Sequence, residues 1–112
     1  MTSETYFEGI DNPEAMEGAI QRWVHRLEPM QQLGNCSVHI NIQPTLFGFS
    51  KRARVELEAL VGSERIDVTL TMKYRGHEDL YLLISDAFRE VRRQLVSLRA
   101  RGTIPPNGMV VH

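Results

Sequence analysis

Residues 51–75 read KRARVELEALVGSERIDVTLTMKYR, and their alternation decides the fold. Ala53, Val55, Leu57, Ala59 and Val61 alternate with Arg52, Arg54, Glu56 and Glu58. After Gly62-Ser63 the same period returns: Ile66, Val68, Leu70 and Met72 alternate with Asp67, Thr69, Thr71 and Lys73. A period of two is the signature of a strand with one dry and one wet face. The short Gly-Ser break between two such runs predicts a hairpin. Upstream, Cys36, Val38, Ile40 and Ile42 alternate with Ser37, His39, Asn41 and Gln43, and Pro44 closes that run. Three consecutive alternations predict an antiparallel meander, apolar on one side only.

Both flanks change to the helical period. Met16, Ala19, Ile20, Trp23, Val24 and Leu27 fall at steps of three and four, which draws one apolar stripe along a helix spanning about residues 13–28. Asp11-Asn12-Pro13-Glu14 supplies its start, with a capping oxygen, a proline that loses no hydrogen bond and an acid at the positive end of the helix dipole. Pro29 supplies its stop. Leu80, Leu83, Ile84, Ala87, Phe88, Val91, Leu95 and Leu98 form a second, longer stripe after Gly76-His77-Glu78-Asp79, and Gly102 ends it. Residues 4–10 read as a weak first strand. The Leu46–Phe49 stretch reads as an apolar loop. The predicted order is β-α-β-β-β-α. This is an α+β two-layer sandwich with both helices on one face of a mostly antiparallel sheet. One domain covers residues 1–102, and residues 103–112, with Pro105-Pro106 and Gly108, read as a loose tail.

Composition narrows the function. The chain has 112 residues, 42% hydrophobic and 24% charged, which suits one globular domain and excludes disorder. No apolar run is long enough for a membrane span, and the N-terminal residues lack a basic leader, so no membrane partner is expected. A single cysteine, Cys36, rules out an internal disulfide and, lying in the dry phase of a strand, reads as core; the expected compartment is the cytoplasm. His25, His39, His77 and His112 show no metal-ligand spacing, and there is no nucleophile elbow and no phosphate-cradling glycine loop. No metal, cofactor or small-molecule substrate is therefore expected, and the chain does not read as an enzyme.

Charge is the better lead. The net value of −1 hides an uneven distribution: residues 1–34 hold six acids and two bases, whereas residues 89–101 hold five arginines and one acid. Arg22 and Arg26 lie one turn apart on the wet side of the first helix, and Arg89, Arg92, Arg93 and Arg99 on that of the last. Lys51, Arg52, Arg54 and Lys73 sit on or beside the wet side of the sheet. Guanidinium forks match phosphate oxygens, and nothing beside them resembles a base-stacking pair, so a nucleic-acid partner would be read through backbone and shape. If both helices lie over the same side of the sheet, their outward arginines are expected to merge into one anion-seeking surface.

The segment from His77 to Gly102, HEDLYLLISDAFREVRRQLVSLRARG, resembles the closing segment of the ribosome hibernation-promoting factor family, which includes the ribosome-associated inhibitor and sigma-54 modulation proteins. The residues that carry the resemblance are Asp79-Leu80-Tyr81, Ile84, Asp86-Ala87-Phe88 and Arg92-Arg93-Gln94-Leu95. Pro13-Glu14-Ala15-Met16-Glu17, with Ile20 and Trp23, is similar to the family's first helix. The resemblance implies a non-enzymatic stress-response factor without cofactor. Such a factor occupies the mRNA and tRNA channel of the small ribosomal subunit and meets rRNA phosphates through its helices. Carried over by position, it nominates Arg22, Arg26, Arg89, Arg92, Arg93 and Arg99, with Lys51, Arg52, Arg54 and Lys73 as secondary positions. The alternative is a protein–protein adaptor that uses the wet sheet face or a sheet edge of the same fold.

Overall fold

The computed structural model describes residues 2–11, 13–27, 33–46, 48 and 50–101. Strand β1 (Thr2–Glu8) leads into helix α1 (Glu14–Leu27), followed by β2 (Leu33–Pro44), β3 (Lys51–Val61), β4 (Glu64–Tyr74) and helix α2 (His77–Ala100). The spatial order is β1-β2-β3-β4. β1 pairs parallel with β2, and the other two pairings are antiparallel. A parallel pair cannot be joined by a tight turn, and α1 is the crossover that joins this one. The expected α+β sandwich is what forms, with one parallel pair in a mostly antiparallel sheet. Asn12, Pro29, Phe47, Phe49, Gly102 and the 103–112 segment, to which the sequence assigned caps, stops, a loop and a tail, lie outside the described residues.

Register stacks the dry residues into rows across the sheet. Cys36, Ala59 and Ile66 form one row; Val38, Leu57 and Val68 the next; Ile40, Val55 and Leu70 a third; Ile42, Ala53 and Met72 a fourth. Met16, Ile20, Val24 and Leu27 of α1 and Leu80, Ile84, Phe88, Val91 and Leu95 of α2 close over these rows in one continuous core. Both helices therefore cover the same face, and the opposite face has no layer of its own among the described residues.

Local chemistry sets the ends of the elements. The Pro13 carbonyl accepts the first helical bond of α1, from the Glu17 N–H at 2.9 Å. The Asp79 carboxylate reaches back to accept from the Arg75 N–H at 2.6 Å, which ties the β4–α2 corner to the first turn of α2. Thr45 and Ser50 close the β2–β3 connection through a main-chain bond of 2.9 Å and a hydroxyl contact of 2.8 Å. Leu46 stands fully in solvent at its tip. Gly62 takes φ +62° in the β3–β4 hairpin, the backbone state that tight hairpins need. Gly9, at φ +75°, leaves β1 across the end of β2; a Cβ there would lie 2.6 Å from the Ile42 carbonyl oxygen.

Cys36 is buried as its strand phase requires, and burial pushes its thiol up to about 11. It is a packing residue and a poor nucleophile. The core's largest fully buried side chain is Phe88. Phe88→Ala is expected to lower unfolding stability by about 3–5 kcal/mol, measured by urea unfolding, because the cavity opens where both helices meet the sheet.

Candidate nucleic-acid interface at the helix seam

Trp23 lies on the flank of the α1 stripe that turns toward α2. It is half-buried, and its ring stacks on Phe88 with centroids 5.9 Å apart and planes 4° from parallel. Two cations gather on this indole. The Arg26 guanidinium carbon is 5.2 Å from the ring centroid, and that of Arg89, from the other helix, is 6.0 Å away. A ring face attracts a cation electrostatically, by about 0.5–1 kcal/mol at exposed sites. That energy is small, but it holds two outward donor forks beside one platform and restricts how far either side chain wanders.

Helix geometry extends the cluster in both directions. Arg22 is one turn before Arg26, and its Nη1 lies only 3.6 Å from where a Cβ of Gly18 would stand, so the glycine leaves room for the long side chain along the helix. Arg92 is one turn after Arg89 and exposed. Among the described residues no carboxylate pairs with Arg22, Arg26 or Arg92 within 4.0 Å. Arg89 has Asp86 at 3.6 Å, a loose and well-exposed pair of the kind that contributes little and yields to competing anions. Arg99, two turns beyond Arg92, is half-buried.

The remaining nominated cations are placed elsewhere. Arg93 grips Glu90 with both arms of its fork, Nε donating at 2.9 Å and Nη2 to the second oxygen. These bonds, then one from Gln94 at 3.2 Å, hold the Glu90 carboxyl down at about 2. Arg93 also shares a shallow groove with Glu64, Arg65 and Ile66 of β4, on the flank of α2 away from α1. Arg54 is bound to Glu56 at 2.6 Å on the open sheet face. Arg52 and Lys73 stand directly opposite one another on that face, and Lys51 sits at the start of β3 between Pro44 and Tyr74. The ten positions thus divide among the helix seam, the β4 flank of α2 and one end of the sheet; the structure does not join them into one surface.

The open face is chemically mixed. Tyr6 stacks loosely on His39, centroids 4.5 Å apart, and donates to Glu4 at 2.9 Å. Arg65 is shared by Glu58 at 2.7 Å and Asp67 at 3.1 Å. Glu56 and Glu58 are thus ion-pair partners of arginines. The described residues contain no cluster of three His, Cys, Asp or Glu able to hold a metal ion. None of their helices is long and apolar enough to cross a membrane. The role of Trp23 was missed by a reading that counted it with the core. The available signal was its position at the edge of the stripe with an arginine three residues on.

No protein-family model matches the sequence, and no curated protein does either. Solved structures do. A ribosomal subunit interface protein from Coxiella burnetii superimposes with a TM-score of 0.68 at 15% identity, over 89% of this chain and 99% of that one. The N-terminal domain of Protein Y from Thermus thermophilus gives 0.59 at 15% identity, over 82% of this chain and 91% of that one. At such identity the likeness is one of fold, carried by the strand order, the parallel first pair and the two helices over one face. The chain has the fold of the ribosome hibernation-promoting factors.

Proposed function

We propose that this protein is a ribosome-binding hibernation factor that inhibits translation by occupying the mRNA and tRNA channel of the small subunit. The observation that carries the reading is the helix seam: Arg26 and Arg89, from different helices, held on one indole and flanked by Arg22 and Arg92. Such a row of donor forks, largely free of carboxylates, suits a run of phosphate oxygens. It has no base-reading device, which suits recognition of rRNA by shape. The structural likeness to a ribosomal subunit interface protein supports the same partner. The resemblance of the closing helix to the hibernation factors supports the channel as the place. In this reading the protein is a cytoplasmic, non-enzymatic blocker.

Phosphate binding carries a salt signature. The logarithm of the binding constant should fall linearly with the logarithm of salt, by about 0.7–0.9 for each phosphate neutralised. Co-sedimentation with purified small subunits at graded salt measures it. Arg26→Ala with Arg89→Ala should weaken binding by at least about tenfold and flatten the slope by roughly 1.4–1.8 while leaving the fold intact. Parent-like binding and slope in that double variant would refute the seam as the rRNA site.

Arg93 gives the internal control. The Glu90 carboxyl lies below its unfolded value, so the ion pair is complete at neutral pH and is lost only as acid approaches about 2. Arg93 is therefore charge-compensated under binding conditions, and Arg93→Ala should change affinity far less than Arg89→Ala. Glu90→Gln, by releasing the fork, should steepen the salt slope by up to about 0.9 in the same titration.

A further inference from the structure

The two edges of the sheet differ in how they would meet a copy of themselves. β1 is seven residues long, and its open-face side chains are Glu4, Tyr6 and Glu8. A second β1 laid antiparallel about Tyr6 would set Glu4 against the partner's Glu8, so like charges defend that edge. β4 is eleven residues long, pairs with β3 without a register break and contains neither proline nor glycine. It lacks the short length, bulges and prolines that usually blunt an edge. Its helix-side residues Leu70, Met72 and Tyr74 are only partly covered, whereas Ile66 and Val68 nearer the hairpin are buried.

We propose that β4 is a self-docking edge, on which a second copy of this chain adds its own β4 antiparallel about a two-fold axis through Leu70. In this register Asp67 meets the partner's Lys73 and Thr69 meets the partner's Thr71 on the open face. On the helix side Leu70 meets the partner's Leu70, Val68 the partner's Met72 and Ile66 the partner's Tyr74. Opposite charges and apolar pairs are the cross-strand neighbours that favour pairing. Moving the axis by one residue, to Thr69, would set Arg65 against the partner's Lys73 inside the strand. With the axis on Leu70 the like-charged neighbours, Arg65 and the partner's Arg75, fall at the end of β4, where Arg75 turns back to Asp79. The product is one eight-stranded sheet with all four helices on the same side. Asp67 already accepts from Arg65 at 3.1 Å, and its second neighbour would come from the partner. The proposal does not depend on the ribosomal reading, since the helix seam lies on the α1 side of α2.

Sedimentation equilibrium on the full chain, over a concentration series into the sub-millimolar range, tests it. The mass should rise from 12.8 kDa toward about twice that value. Asp67→Lys or Lys73→Asp alone should weaken association by about tenfold or more, since each sets like charges against one another twice per dimer. The double variant D67K/K73D should restore it, with circular dichroism confirming that each variant folds. A parent that stays monomeric throughout would overturn the proposal. So would a dimer indifferent to the single variants, or a folded double variant that fails to recover.

Discussion

One-sided burial is the constraint on which the rest depends. Every second residue of β2, β3 and β4 is apolar and faces the same way, so the sheet can bury only one face. Two helices cover most of that face, leaving Leu70, Met72 and Tyr74 of β4 only partly buried, and their own stripes leave no second apolar surface to cover the other side. The cations of α1 and α2 are thereby confined to the outer surface of the helical layer. The strand cations either go to the opposite side of the molecule or remain at the sheet's rim. The separation of the seam arginines from Arg52, Arg54 and Lys73 is a result of the sandwich architecture.

Within the helical layer, placement decides more than number. Net charge at neutral pH is −1, yet the seam between α1 and α2 gathers arginines with almost no carboxylate beside them. The acids of α1 fall at its start, Glu14 and Glu17, and those of α2's first turn are Glu78 and Asp79. Both sets sit where the helix dipole favours negative charge. Acids and bases therefore separate along α1, and in α2 the basic stretch begins near Phe88 with Glu90 taken up by Arg93. The contact of Trp23 with Phe88 performs two tasks: it seals the gap between the helices inside and organises Arg26 and Arg89 outside.

Most of the architecture was legible in the residues because periodicity reports which side of an element is dry. The three alternating strands and the two helical stripes match the elements to within a residue or two at most ends. β1 was the weak element, since Thr5, Phe7 and their neighbours make no clean alternation, and its parallel pairing is a property of the crossover, not of local residues. The site was less legible. Sequence spacing places an arginine on a helix face but does not state what the face meets, so it could not separate Arg89, beside Trp23, from Arg93, which Glu90 occupies. The strand alternation did place Arg52, Arg54 and Lys73 on the wet face of the sheet, opposite the helices, and the register agrees.

The crossing of Gly9 over Ile42 has a consequence for how such folds drift. Most positions here are governed by polarity and size, and any residue of the right kind serves, which is how two chains agreeing at 15% of positions reach one topology. Gly9 is different, because both its backbone angle and the carbonyl it passes forbid a side chain of any chemistry. Where the chain turns from the first strand toward the crossover helix, ancestry has no latitude: the residue can be exchanged only if the path of the chain is rebuilt with it.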